Sequence, residues 1–331
     1  MKAKTKDSGA GWSWGWDISP VAYERIAFTT LILLAVIIVT GGAVRLSQSG
    51  LGCPDWPTCQ GTHLVAAAKL HPMIEFINRM ITIICSILVV LSALASFFRK
   101  PLRKDLVWLS LGLVGGILAE IVLGGITVLE KLAPPYVMAH MILALLIVWD
   151  ALVLYRRSSQ DDTTPVRVVT PQTYWLGKLM AINLAAVIVA GTVVTGSGPH
   201  SGSTISPRLP FPLRDVAVLH SDFVLMLIGL TLGALFLLSQ AGAPDLVQKS
   251  GRFLLYAESV QAIIGYTQYF TKLPALLVGF HIAGATVVWI SMLWFNLSMY
   301  VRPKVASFDD AQAQQLTTSD STSRVGSEIG N

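Results

Sequence analysis

Eight runs of mostly apolar residues divide the chain, at 26–44, 73–98, 105–129, 135–155, 173–196, 215–239, 253–271 and 275–299. Each is close to the roughly 20 residues that a helix needs to cross a bilayer. The spacing predicts an all-α integral membrane protein with eight transmembrane helices. Composition agrees: 53% of the 331 residues are hydrophobic and 13% are charged, too apolar a balance for an ordinary soluble domain. Three cysteines do not make a disulfide-rich scaffold. The first run is too long for a signal-peptide core and no small-residue cleavage site follows it, so it reads as a retained span.

The net charge of +5 sits in short loops between the runs, where it signals topology; no nucleic-acid partner is expected. Seventeen Lys and Arg fall on the side that holds both termini and six on the other, with Arg79 inside a run. The positive-inside rule then puts both termini in the cytoplasm of a multi-pass cell-membrane protein. The stretch "SGLGCPDWPTCQG" (Ser49–Gly61) lies outside, where disulfides persist, and a Cys53–Cys59 bond is expected. Unpaired thiols are the alternative; a zinc site using His63 lacks an obvious fourth ligand. Cys85 reads as a buried thiol. Residues 305–331, rich in Ser, Thr, Gln and Asp, are expected to be disordered, and Trp12, Trp14 and Trp16 to rest at the interface.

The chain repeats itself. "EIVLGGITVLEKLAPPYVMAH" ends at His140 and "QAIIGYTQYFTKLPALLVGFH" ends at His281, which puts Gly124 on Gly265, Lys131 on Lys272 and Leu132 on Leu273. Two pseudo-twofold-related four-helix bundles follow, related by an axis along the membrane normal. The expected layout is a tail at 1–25, a first bundle at 26–155, a cytoplasmic linker at 156–172, a second bundle at 173–299 and a tail at 300–331.

His220, His281 and His140 begin runs six, eight and four at matched depth, and the fourth equivalent position falls in "EFINR", at Asn78 and Arg79. A lone intramembrane histidine could simply bond a neighbouring helix. Paired histidines in a repeated bundle fit haem. Zinc or copper would find only two ligands per half and no carboxylate companion in the second. Glu75, Asn78 and Arg79 share a helix face. They form either a self-neutralising Glu75–Arg79 pair or a proton-moving carboxylate with Arg79 facing a haem propionate. Glu120 aligns with Gln261 and reads as a polar contact between helices. Glu258 has no counterpart and stays open. His63, His71 and His200 belong to the outer loops and read as solvated.

Taken together, "GGAVRLSQSGLGCPDWPTCQG", "IEFINR", "GGITVL", the His140 and His281 runs and "IGYTQYF" resemble haem A synthases, the family of mitochondrial Cox15-type and bacterial CtaA-type proteins. The resemblance covers about residues 25–300, and the "GLGCP", "GPH" and "IGYTQYF" segments are most similar to actinobacterial members. It implies an oxidoreductase that oxidises a methyl group of haem O to a formyl group in two steps, giving haem A for terminal oxidase assembly. It further implies haem b held by His220 and His281. The substrate haem would lie in the first half, with its iron on His140, Glu75 as the catalytic carboxylate, Asn78, Arg79 and Arg45 in its pocket, and Cys53 and Cys59 as the loop cysteines. Implied partners are haem O synthase, the lipid bilayer, an unidentified electron acceptor and a haem-A-containing cytochrome oxidase.

One departure stands out. Many members read Glu-x-x-His-Arg where this chain reads Glu75-Phe-Ile-Asn78-Arg79. Asparagine is a poor iron ligand. That opens the alternative that His140 alone holds the substrate iron and leaves a free face for a haem that must enter, react and leave. Two other classes use similar frames. A bis-histidine cytochrome b type electron carrier would not need Glu75 or the cysteine loop, and a transporter would have broken helices and no haem colour.

Overall fold

The computed structural model describes residues 17–303. The expectations for residues 305–331 and for Trp12, Trp14 and Trp16 fall outside that range. Eight long helices follow one another: α1 (Pro20–Leu46), α2 (Leu70–Phe98), α3 (Lys104–Leu129), α4 (Pro134–Ser158), α5 (Pro171–Ser197), α6 (Leu213–Gln240), α7 (Asp245–Phe270) and α8 (Ala275–Ser298). A two-residue strand, β1 (Val166–Arg167), pairs antiparallel with β2 (Tyr300–Val301) and ties the α4–α5 connection to the end of α8.

Local sequence sets the helix starts. Ser19 caps α1 by accepting the Ala22 N–H at 3.2 Å, with Pro20 at the first position. Thr170 and Pro171 do the same for α5. Seven helices are long and apolar enough to cross a membrane, and this is a multi-pass membrane protein. Outward-facing Ile83, Ile87, Leu91 and Leu94 on α2 and Leu118 and Val122 on α3 present apolar surface of the kind lipid covers.

The remaining helix, α7, is equally long, but Gln248, Lys249, Arg252, Glu258, Gln261 and Gln268 dilute its apolar character. It begins at Asp245, well before the apolar run at 253–271. Packing explains the difference. The Ser250 and Ser298 hydroxyls share a hydrogen bond of 2.9 Å, and a Cβ at Gly251 would lie 3.2 Å from the Phe295 ring.

Neighbour contacts run α1–α2–α3–α4–α1 and α5–α6–α7–α8–α5, and α1, α4, α5 and α8 meet between them. The interior is filled by Tyr23, Leu106, Leu113, Met180, Met292 and Phe295, all essentially without exposure. Short polar contacts also join the helices. The Trp289 indole N–H donates to the Leu145 carbonyl at 2.9 Å, joining α8 to α4. The Asn183 amide donates to the Phe223 carbonyl at 2.9 Å, joining α5 to α6.

The repeated "KL" dipeptides adopt a repeated backbone. Lys131 and Leu132 have φ of 52° and 60°, and Lys272 and Leu273 have 65° and 59°. After α3 the Leu132 N–H donates to the Thr127 carbonyl at 2.8 Å; after α7 the Leu273 N–H donates to the Gln268 carbonyl at 2.7 Å. Consecutive non-glycine residues in the left-handed region are uncommon.

Candidate functional site

Three imidazoles sit at one end of the helices, and each is seated in the same way. A bare glycine on the neighbouring helix lies against the ring. A Cβ at Gly124 would be 3.1 Å from Cε1 of His140, one at Gly191 would be 3.1 Å from Cε1 of His220, and one at Gly265 would be 3.0 Å from Cε1 of His281. The missing side chains let α3, α5 and α7 approach the rings closely. The Nδ1 edges point into protein. His220 donates from Nδ1 to the Val187 carbonyl at 2.9 Å, since a carbonyl can only accept. Nδ1 of His140 and of His281 is buried.

The rings of His220 and His281 face each other with centroids 6.3 Å apart and planes inclined by 71°. Two imidazoles that each bind one metal at about 2 Å through nitrogen place their ring centres roughly 6 Å apart. The pair therefore fits a single iron between them. Among the described residues no second ring faces His140, and the stretch that corresponds to His220 carries Arg79 and, beside it, Asn78. Its Oδ1 is buried and has no partner among the described residues.

Glu75 is buried on α2, and both of its oxygens are engaged. Oε2 accepts the Cys53 N–H at 2.8 Å and Oε1 accepts from Arg79 Nη2 at 2.7 Å. Arg79 also donates to the carbonyls of Cys53 at 2.8 Å, Thr58 at 2.9 Å and Asp55 at 3.2 Å. Cys53 and Cys59 form a disulfide, which leaves His63 without thiolates to share a zinc ion. The Glu75–Arg79 pair is thus the seat of the disulfide loop. At its other edge Gly52 passes so close to the His71 backbone that no side chain would fit, and Ser49 and His71 share a hydrogen bond of 3.0 Å. Alkylation without reductant is expected to leave Cys53 and Cys59 unmodified. Replacing both by serine should lower stability by about 2 kcal/mol in the chain-entropy model, read as a lower heat-denaturation midpoint.

Arg45 reaches away from this seat. Its Nη2 donates to the Thr195 carbonyl at 2.8 Å, bonding the end of α1 to the end of α5, beside a main-chain bond from Gly50 to Gly202 at 3.0 Å. His200 is held rather than simply solvated, because its Nε2–H donates to the Leu273 carbonyl at 2.8 Å. Glu258 is buried and accepts from Thr231 at 3.0 Å. Glu120 makes a polar contact between helices, and its neighbour is His140, at 3.2 Å from Nδ1.

The model of the COX15-CtaA family, described as cytochrome oxidase assembly protein, matches residues 24–199, more than half of the chain. The chain belongs to the COX15-CtaA family. The matched part holds Cys53, Cys59, Glu75, Arg79 and His140; His220 and His281 lie beyond it. Curated relatives include proteins named heme A synthase. The one from Shewanella oneidensis is 31% identical over 190 residues, which is 52% of this chain and 55% of the relative. The one from Bacillus licheniformis is 22% identical over 195 residues, 58% of this chain and 63% of the relative. The chain therefore spans between half and two thirds of the length of these two relatives.

Sequence reasoning missed the Val187 carbonyl, the partner of Glu120 and the shared glycine seat. The glycines had left a signal, since Gly124 and Gly265 superimpose in the repeat. The Val187 contact had none, because main-chain carbonyls carry no letter.

Proposed function

We propose that this protein is a haem A synthase: an oxidoreductase that oxidises a methyl group of haem O to a formyl group in two steps, giving haem A for a terminal oxidase. One observation carries the reading beyond family membership, namely the difference between the halves. In one, two imidazoles oppose each other at 6.3 Å. In the other, His140 has no ring partner among the described residues, and Glu75 is a buried carboxylate one helical turn before Asn78 on α2. A simple carrier needs no open site. An enzyme that acts on a haem needs one closed site and one open one.

His220 and His281 hold haem b through their Nε2 edges, with Val187 fixing the first ring. When bound, that haem supplies one-electron redox chemistry. His140 would hold the iron of the substrate haem, and Asn78 supplies no second imidazole to it. Arg79 keeps Glu75 at its depth in the helix, while the loop closes over the pair. With water as the source of the formyl oxygen, the overall change is R–CH3 + H2O → R–CHO + 4 H+ + 4 e−, and Glu75 takes up the released protons one at a time as a general base. Electrons leave to an acceptor of unidentified class. In this reading α7 crosses the membrane as the eighth span, and the two sets of four helices are related by a pseudo-twofold axis. Both termini lie in the cytoplasm, haem O synthase supplies the substrate and a haem-A-containing oxidase receives the product.

The test is extraction of pigment from membranes that contain haem O and the purified protein, followed by chromatography. Appearance of haem A supports the reading. Unchanged haem O beside a normal haem b spectrum would establish an electron carrier instead. A second expectation concerns the ring seat. Gly265→Val should displace the His281 imidazole and lower haem b per protein several-fold. Gly229→Ala on α6, which meets open space, should leave it unchanged.

A further inference from the structure

Glu120 on α3 places Oε1 3.2 Å from Nδ1 of His140 on α4. Nδ1 is buried, although 42% of the His140 side chain is exposed. The open part of the ring is therefore its other edge, the one that carries Nε2. Oε1 and Nδ1 are close without being aligned for a hydrogen bond, and Oε2 of Glu120 is buried with no partner among the described residues. Gly124, one turn further along α3, lets the ring lie this close. The second half is built differently. Gln261, the repeat-equivalent of Glu120, donates its amide to the main-chain carbonyl of His281 at 2.8 Å and not to the ring. His220 gives its Nδ1–H to a neutral carbonyl.

We propose that Glu120 is a positioning residue for the substrate haem: its carboxylate accepts the Nδ1–H of His140 and so presents Nε2 to the iron as a strengthened donor. The inference rests on the reading that His140 holds that iron. A histidine ligand that gives its second nitrogen to a carboxylate is fixed in tautomer and orientation and becomes more basic. In a low-dielectric interior the effect of the charge is larger. A small rotation of either side chain turns the 3.2 Å approach into an aligned bond once iron fixes the ring. The two halves then differ in kind. A carboxylate-backed imidazole favours the oxidised iron at the substrate site, whereas at the resident haem's site His220 is backed by a neutral carbonyl.

The experiment uses the purified full-length protein with its second-half haem in place. Haemin is titrated into the first-half site by absorbance, and the reduction midpoint of that site is then measured. Glu120→Leu is expected to weaken haemin binding there by about 10–100-fold while haem b content stays constant. Glu120→Gln keeps an oxygen that can accept the Nδ1–H, so it should bind haemin nearly as wild type but with a midpoint shifted upward. If both variants match wild type in affinity and midpoint while His140→Ala no longer takes up haemin, the role of Glu120 is overturned and the role of His140 stands. If His140→Ala takes up haemin normally, the underlying reading is overturned and this inference goes with it. Should Glu120→Leu lose haem b through misfolding, the Glu120→Gln midpoint decides alone, and an unshifted value overturns the proposal.

Discussion

Glu75→Gln protein is expected to keep its haem b, to admit haem O, and to form haem A more slowly by about 10²–10⁴-fold, the range that a positioned general base contributes. The substitution is chosen for the geometry around it. Arg79 keeps its bonds to the carbonyls of Cys53, Asp55 and Thr58, so the loop retains most of its anchorage. An amide oxygen can still accept from the Cys53 N–H or from Arg79, but the amide cannot take up a proton at working pH. Glu75→Ala would blur the result by removing both loop contacts together with the base. The measurement is the ratio of haem A to haem O extracted per mole of haem b. A near-normal ratio would mean that Glu75 is only the structural partner of Arg79.

The second large effect belongs to His281. Its ring is one of a pair whose spacing suits one iron, and the opposing ring of His220 is pinned from behind by Val187. His281→Ala should therefore abolish the low-spin bis-imidazole spectrum of the second-half haem, either by loss of pigment or by conversion to a five-coordinate, high-spin form. His220→Ala should do the same, and the two changes together should be no worse than either alone. A low-spin spectrum that survives His281→Ala unchanged would place the ligand elsewhere. Uptake of haemin in the first half should be unaffected, because His140 has its own seat on Gly124.

Much of the fold was legible because a bilayer sets a length for a spanning helix, and because the segments that end at His140 and His281 share a pattern. The histidines stood out for a related reason: in a chain this apolar, an imidazole at matched depth in three helices has few other uses. What stayed hidden was set by contacts that the sequence does not encode locally. The early start of α7 depends on Ser250 meeting Ser298 from another helix. Arg79 reads as a partner for an anionic ligand, yet its Nη1 and Nη2 donate to Glu75 and to main-chain oxygens of a loop more than twenty residues away. Arg45 sits beside the cysteine loop in sequence and bonds across to α5 in space. The contact of Glu120 with His140 depends on how α3 and α4 are rotated against each other, which the repeat alone does not fix.

The four-residue spacing of Glu75 and Arg79 also bears on how the protein is made. A lone charge in a nascent span costs up to about 2.5–3.5 kcal/mol at its centre on translocon-based insertion scales and less towards its ends, and Glu75 and Arg79 lie in the first third of α2. Here the two charges cancel within one turn of the same helix, so α2 can enter the membrane electrically neutral before α3 has been synthesised. The loop that precedes α2 has by then emerged, and its carbonyls find Arg79 afterwards. Neutralisation is thus a local event during synthesis, and anchorage of the loop is a later one. A variant that removes one charge leaves the other for the insertion machinery to carry, so the amount of protein reaching the membrane and the activity of each molecule become separate quantities.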